Sequence, residues 1–419
     1  MRRVAIVAAN RSAFLKARTG YAKYSALELS SEFLKVFLGK HDWATNLVQE
    51  VFFSSVLLDP TYPNLARELV LRSYLPNTVG AHFVSNNCIS GLVAVNSAVE
   101  AIRSGRLECA LAGGVESMSR PALMLSQPAR DFYLDLSLCR SAAEKLKQTL
   151  KFRPKFFFPV TPSPKEPSTG KTMGQHCELS AKEFGIARQA QDQYAFECHK
   201  KASAAVAAGY ASEEILPIFG ANSDNLVRKD TTVEKLSKLQ PVFDRSERGS
   251  ITAGNASALT DGVSLVCLMS EDLAREKGIE ILGYLESTQF AAIDPNDGLL
   301  MAPALALPKL LQAIGKQPEE IDLFEIHEAF AAQVLCNLKL WNDGWSKYPE
   351  QRAIGQLPAD RVNRCGGSLA YGHPFAATGG RLIASVVNQL RRENKQRAVI
   401  SVCAAGAMAA AVSVVRGDH

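Results

Sequence analysis

Residues 81–114 read AHFVSNNCISGLVAVNSAVEAIRSGRLECALAGG, and this stretch sets the fold class. Ala81 to Ser85 is a strand pattern. From about Ile89 to Ser104 the spacing becomes helical, with Ile89, Leu92, Val93, Asn96, Val99 and Ile102 on one face. Gly105 stands where a C-terminal cap belongs. Cys109 to Gly113 is a second short apolar run, as expected for a buried strand. Strand, helix and strand in so short a span predict α/β architecture.

The alternation extends outward in both directions. Arg3 to Ala9 and Val51 to Leu57 read as strands, and Ser25 to Leu38 as a helix. Beyond Ser250 it resumes. Ile281 to Gln289 and Ile321 to Ile326 are strand-like, and a short helix is expected over Pro308 to Ile314, its proline in the first position. The later series parallels the earlier one. Cys88 leads into a small-residue helix and the strand at Leu111, and His373 leads similarly to the strand from Val399 through Gly406. The expectation is two similar mixed-sheet α/β halves, residues 1–120 completed by 251–275, and residues 276–419. Between them, 121–250 has a different texture. Prolines crowd at Pro154, Pro159, Pro162, Pro164 and Pro167, which suggests an inserted loop domain with a few helices such as Ala187 to Ala208.

Composition excludes several classes. The chain has 419 residues, 47% hydrophobic and 21% charged, so disordered, collagenous and small disulfide-scaffold classes fall away. A net charge of +5 is too diffuse to argue for nucleic acid. The nine cysteines are scattered without a CxxC pair, which argues against a metal and for free thiols in a reducing compartment such as the cytoplasm. No apolar run approaches the ~18 residues of a membrane span. The opening MRRVAIVAAN reads as a first buried strand rather than a signal peptide.

Five positions could carry chemistry. Cys88, in SNNCISG, lies between a strand and a helix, where unpaired N–H groups and the helix dipole favour thiolate. His373, in GGSLAYGHPFAATGG, is flanked by glycines that allow close backbone approach. Cys403, in SVCAAGAMAAA, ends a strand inside a run of tiny residues. His327, in EIHEAFAAQ, follows a strand end. Ser257 lies in TAGNASALTDG, a small-residue loop. Each alone reads equally well as an inert core cysteine, a structural histidine or plain turn chemistry.

Together, and in this order, the strings resemble the thiolase family over the whole chain. The motifs are Cys88-Ile-Ser-Gly, the loop motif Met173-Gly174, Thr252-Ala-Gly-Asn-Ala-Ser257, His327-Glu-Ala-Phe330, Gly372-His373-Pro374 and Cys403-Ala-Ala-Gly406. His before Glu-Ala-Phe, together with the long Pro-rich insertion, is similar to the 3-ketoacyl-CoA thiolase β subunits of bacterial trifunctional fatty-acid oxidation complexes. Ala405, Ala407 and Ala409 depart from common family glycines, and Thr172 stands where simpler thiolases often carry His.

The resemblance implies a layered αβαβα thiolase fold and thiolysis of 3-ketoacyl-CoA by CoA through an acyl-cysteine. It implies Cys88 as nucleophile, His373 as its base and Cys403 as acid/base. The N–H groups of Cys88 and Ala405 would form one oxyanion hole, and His327 with His373 the other. Ser257, Met173 and Phe330 would contact substrate, and Arg228 the nucleotide end of CoA. Coenzyme A is a co-substrate, with no permanently bound cofactor. Expected partners are acyl-CoA, a second copy of the chain in a dimer or larger homo-oligomer, and a hydratase/dehydrogenase α subunit. The segment KLKQTLKFRPKFFFPV, Lys145 to Val160, combines five cations with Leu146, Leu150 and three phenylalanines. It is expected to hold a short helix ended by Pro154 and to suit an anionic membrane or a partner, or else to cover the acyl-chain tunnel. The rival functions are a biosynthetic acetoacetyl-CoA thiolase and a non-catalytic acyl-CoA-binding scaffold.

Overall fold

The computed structural model describes residues 2–417. Among them, ten strands form one mixed sheet. They are β1 (Val4–Arg11), β2 (Leu15–Lys16), β3 (Glu50–Ser54), β4 (Gly80–Val84), β5 (Cys109–Glu116), β6 (Thr260–Ser270), β7 (Gly283–Ala292), β8 (Leu323–Ile326), β9 (Arg397–Ala404) and β10 (Met408–Arg416). Their order is β4-β3-β5-β6-β1-β7-β10-β9-β8, with β2 beside β6. β5 and β6 are buried at every position, so their sequences run apolar rather than alternating.

The pairing reads alike from both sides of the β1–β7 seam. On one side β4–β3 and β3–β5 are parallel, then β5–β6 and β6–β1 are antiparallel. On the other, β8–β9 is parallel, then β9–β10 and β10–β7 are antiparallel. The seam is Ala5 opposite Tyr284 and Ile6 opposite Gly283. Among the described residues, the second half lacks counterparts of β4 and of the short β2.

Two helices fill the space between the halves. Leu92, Val95 and Val99 of helix Ser90–Arg103 share one core with Leu382, Ile383 and Val386 of helix Thr378–Arg392, and with Ile6, Ala112, Ile400 and Val412 of the strands. Thr378 through Leu390 are all buried. The helices approach closely because glycine stands at the contact. A Cβ on Gly379 would lie 2.8 Å from Leu92 Cγ of the facing helix.

Three local expectations change. The helix predicted from Pro308 runs over Pro303–Ala313; Pro303 takes the first-turn position and Pro308 sits inside it. The strand predicted over Val51 to Leu57 ends at Ser54. Met173-Gly174 is not a loop but the first turn of helix Met173–Glu183, capped reciprocally by Thr172 and Gln175.

Contacts divide the chain into two units. One holds the chain up to Val56, Asn64–Arg120 and everything from Lys165 onward, and so contains the whole sheet and helix Arg188–Ala207. The other is Leu57–Pro63 with Pro121–Pro164. Helices Gln127–Leu138 and Ala142–Thr149 and a 3-10 turn at Pro154–Phe157 build it around a small core of Ala129, Phe132 and Phe156. Leu146, Leu150, Phe157 and Phe158 are each at least 66% exposed. The expected short helix is therefore present, but it ends at Thr149 with Leu150 as its C-cap, and Pro154 opens the next turn.

Candidate active site

Cys88 sits in the turn joining β4 to helix Ser90–Arg103. Asn87 takes a left-handed conformation (φ 50°), and Ser90 Oγ ties the turn by accepting from Asn86 N (2.7 Å) and donating to Asn87 O (2.6 Å). The backbone N–H groups of Ala405 and of Cys88 itself point at the sulfur. The helix N-terminus led us to expect a thiolate. Burial outweighs it, and with help from the Glu116 carboxylate pushes the thiol up to about 12.

The loop after β9 faces this turn. Gly406 and Ala407 are both left-handed, at φ 74° and 56°. Asn87 Nδ2 donates to Ala405 O (3.0 Å), and Gly406 N donates to Glu166 Oε2 (3.0 Å). The loop is thus clamped from two sides, one clamp being the neighbour of Cys88. Cys403, 1% exposed at the end of β9, lies near Cys88, and the N–H of Ala329 points at its sulfur. Burial, then the nearby Cys88, holds this thiol well above the ordinary cysteine range.

The two histidines meet ring to ring, with centroids 4.1 Å apart and planes tilted by 45°. His373 N donates to Thr260 Oγ1 (3.1 Å), and His373 Nδ1 bonds Thr378 Oγ1 (2.6 Å) at the start of the central helix. His327 Nδ1 bonds Ser368 Oγ (2.8 Å). Each histidine leaves Nε2 buried without a partner. Burial, then Arg381, pushes His373 down to about 3. Burial, then His373 and Arg381, holds His327 well below the usual imidazole range. Both rings are therefore neutral at pH 7, and two buried polar nitrogens keep their hydrogen-bonding capacity unused.

The loop containing Ser257 is laced to the segment after His327. Ser257 N donates to Ala329 O and Ala331 N to Asn255 O, both at 2.9 Å, and Ala256 bridges Phe330. Leu259, just beyond, bridges His373. Phe330 meets Phe243 edge-on at 6.0 Å, and Met173 packs on the same cluster. Cys88, His327, His373, Cys403, Ala405, Ser257, Phe330 and Met173 are thus joined through these two loops. Arg228 is not tied to them. It is exposed, and its backbone N–H goes to His199 Nδ1 (3.2 Å).

Sequence reasoning missed the residues behind the site. Glu328 is 1% exposed and accepts from Tyr194 Oη, Cys198 Sγ, Asn363 Nδ2 and Leu369 N. It fixes the His327 loop to the Gly367–Leu369 turn. Glu116, 0% exposed, accepts from Ser55 Oγ and from Ala376 N beside His373. Asn87, Glu166, Ser368, Thr378 and Arg381 were also unassigned. Arg381 alone left a signal, as a lone cation in an otherwise small and apolar helical stretch.

Residues 4–272 match the thiolase N-terminal domain family and residues 279–416 the thiolase C-terminal domain family. The chain is 37% identical over 421 aligned residues to a 3-ketoacyl-CoA thiolase from Yersinia enterocolitica, covering 98% of this chain and 96% of that one. It is 38% identical over 420 to a 3-ketoacyl-CoA thiolase from Pseudoalteromonas translucida, with the same coverage. Among solved structures, it superposes on the Bacillus anthracis acetyl-CoA acetyltransferase with a TM-score of 0.85 at 29% identity, covering 100% of this chain and 99% of that one. It also superposes on an Ascaris suum thiolase in complex with coenzyme A, with a TM-score of 0.84 at 26% identity, covering 99% and 100%.

Proposed function

Since the chain belongs to the thiolase family and is an acetyl-CoA acyltransferase, we propose that it cleaves 3-ketoacyl-CoA with CoA in fatty-acid β-oxidation, through an acyl-Cys88 intermediate. The observation that supports this best is that two neighbouring thiols, Cys88 and Cys403, are tied through the Ala329 segment to a pair of neutral histidines whose Nε2 atoms are buried without a partner.

Breaking a carbon–carbon bond beside a ketone calls for a covalent nucleophile. Cys88 sulfur attacks the 3-keto carbon while His373 Nε2 takes the thiol proton. The free site holds a neutral thiol and a neutral imidazole, so proton transfer accompanies attack rather than preceding it. The tetrahedral oxyanion accepts from the N–H groups of Cys88 and Ala405, which already converge on the sulfur. A backbone donor makes alanine as good as glycine there. The bond between C2 and C3 then breaks, and its electron pair goes to the enolate of acetyl-CoA. His327 and His373 donate to the enolate oxygen, each such donor being worth a few kcal/mol. Cys403 protonates C2. Its thiolate next takes the proton of incoming CoA, whose sulfur attacks the acyl-cysteine; Cys88 leaves as thiolate and takes back the proton that His373 held.

Ser257, Met173 and Phe330 contact the pantetheine and acyl side in this reading, and Arg228 the nucleotide end. The working assembly is a homo-oligomer that docks a hydratase/dehydrogenase subunit or an anionic membrane through Lys145–Val160, in the cytoplasm. The functional halves are residues 1–120 with 251–275, and 276–419, around the insertion 121–250. Among the described residues, no helix is long and apolar enough to cross a membrane.

The test is to trap the enzyme with a 3-ketoacyl-CoA and locate the acyl group by mass spectrometry. Acyl-Cys88, with acetyl-CoA released, is the expected result. Acylation of Cys403 alone, or thiolysis undiminished in Cys88→Ser, overturns it.

A further inference from the structure

Behind His327 lies a chain of polar groups reaching a buried cation. Arg381 is 2% exposed, on the central helix Thr378–Arg392. Its Nη2 donates to Ser368 Oγ (3.3 Å), and Ser368 Oγ lies 2.8 Å from His327 Nδ1. Glu325 faces the guanidinium from β8, with its Oε2 4.0 Å from Nη1, and is itself steadied by Gln389 Nε2 on its Oε1 (2.9 Å). Ser368 is 0% exposed.

The donor inventory orients this chain. A guanidinium only donates, so it uses a lone pair of Ser368 Oγ. The Ser368 hydroxyl proton then has His327 Nδ1 as its acceptor. An imidazole that accepts at Nδ1 carries its proton on Nε2 when neutral. That Nε2 is the buried, partnerless atom beside His373. His373 is anchored differently, by the hydroxyl of Thr378, three residues before Arg381 on the same helix, and among the described residues no cation donates a hydrogen bond to that hydroxyl.

We propose that Arg381 and Ser368 are positioning residues that hold His327 in the Nε2–H tautomer, making it a fixed hydrogen-bond donor toward the substrate oxygen. The donor role rests on the thiolase reading above; the tautomer does not. His373 then stays free to act as base, because the donor is set by a relay it does not share. The two rings have different jobs because the hydroxyl behind His327 accepts a hydrogen bond from Arg381 and so turns its own proton toward the ring.

Nitrogen-15 NMR of histidine-labelled full-length protein reads the tautomer directly, with the His327 signals assigned by His327→Asn. An Nε2–H pattern in the unsubstituted protein at pH 7, lost or mixed in Ser368→Ala, is expected. With it, kcat for thiolysis should fall about tenfold or more, as a misdirected donor costs less than a missing one, while KM for CoA moves less than about threefold. Ser368→Thr, which keeps the hydroxyl, should retain the pattern and most of kcat. An Nδ1–H pattern in the unsubstituted protein overturns the relay even if every variant misfolds. So does an unchanged kcat in folded Ser368→Ala. If the tautomer behaves as stated but no 3-ketoacyl-CoA is cleaved, the relay stands and the functional reading falls. If cleavage is robust and the tautomer is wrong, the relay alone falls.

Discussion

His327 and His373 stand 4.1 Å apart, and each is gripped from behind at Nδ1 by a hydroxyl while its Nε2 is left free. The grip fixes ring orientation before any substrate arrives. Since neither ring is charged at neutral pH, the pair does not repel, and the site keeps two neutral groups at a spacing that two imidazolium ions would resist.

The raised Cys88 thiol makes a kinetic prediction. At pH 8 a group titrating at about 12 is thiolate in only about one molecule in ten thousand, against about a quarter for an ordinary cysteine. Alkylation of Cys88 by iodoacetamide in the ligand-free enzyme should therefore be slow and rise about tenfold per pH unit between pH 7 and 9.5. A plateau below pH 8 would show a preformed thiolate.

Acid should destabilise the protein through His373. An unfolded histidine titrates near 6.5, and the folded one at about 3. As pH falls below 6.5 the unfolded chain gains a proton that the native state refuses, so this stability is complete above 6.5 and is lost on acidification. At pH 5 the loss is about 2 kcal/mol for one such group. In urea titrations, His373→Gln should narrow the gap between pH 7 and pH 5 by about that amount. An equal gap in both proteins refutes the assignment.

Gly367→Ala tests the Glu328 anchor. A Cβ there would come within 2.4 Å of the Glu328 carboxylate, which is committed to four donors and cannot step aside. Overpacking of this kind costs about 1–3 kcal/mol. The melting temperature should fall, and kcat with it, because the anchor carries the His327 loop. An unchanged melting temperature would mean that the loop relaxes freely.

The basic segment is tested by Lys147→Glu, Lys151→Glu and Lys155→Glu together. All three lysines belong to the unit that also exposes Leu146, Leu150, Phe157 and Phe158. Binding to anionic vesicles or to the partner subunit should weaken, with thiolysis of short substrates intact. If binding holds and only long-chain activity falls, the segment is a tunnel wall.

How much of this was readable beforehand follows from the range of the forces involved. The strand–helix alternation and the two halves were legible because hydrophobic period is a local property, and both helix Ser90–Arg103 and helix Arg188–Ala207 lie within a residue or two of expectation. Pro308 misled because a proline at the first helical position is the usual case, whereas Pro303 had already taken that role. The residues proposed as reactive stood out in the sequence as motifs in a fixed order. What held them was not, because Glu328 meets Cys198 and Tyr194 from more than a hundred residues away, and Arg381 reaches His327 only through Ser368. The thiolate expectation for Cys88 failed for a related reason: the helix end is visible in sequence, but desolvation is a property of the folded surroundings.

The division of the sheet at β1–β7 also divides the proposed chemistry. Cys88 comes from the N-terminal side of that seam, and His327, His373 and Cys403 from the C-terminal side. A polypeptide cut between β6 and β7 would therefore give two fragments, one carrying the proposed nucleophile and the other the residues proposed to handle protons. Turnover would appear only on their reassociation, so thiolysis would serve as a complementation signal for the joining of the two fragments.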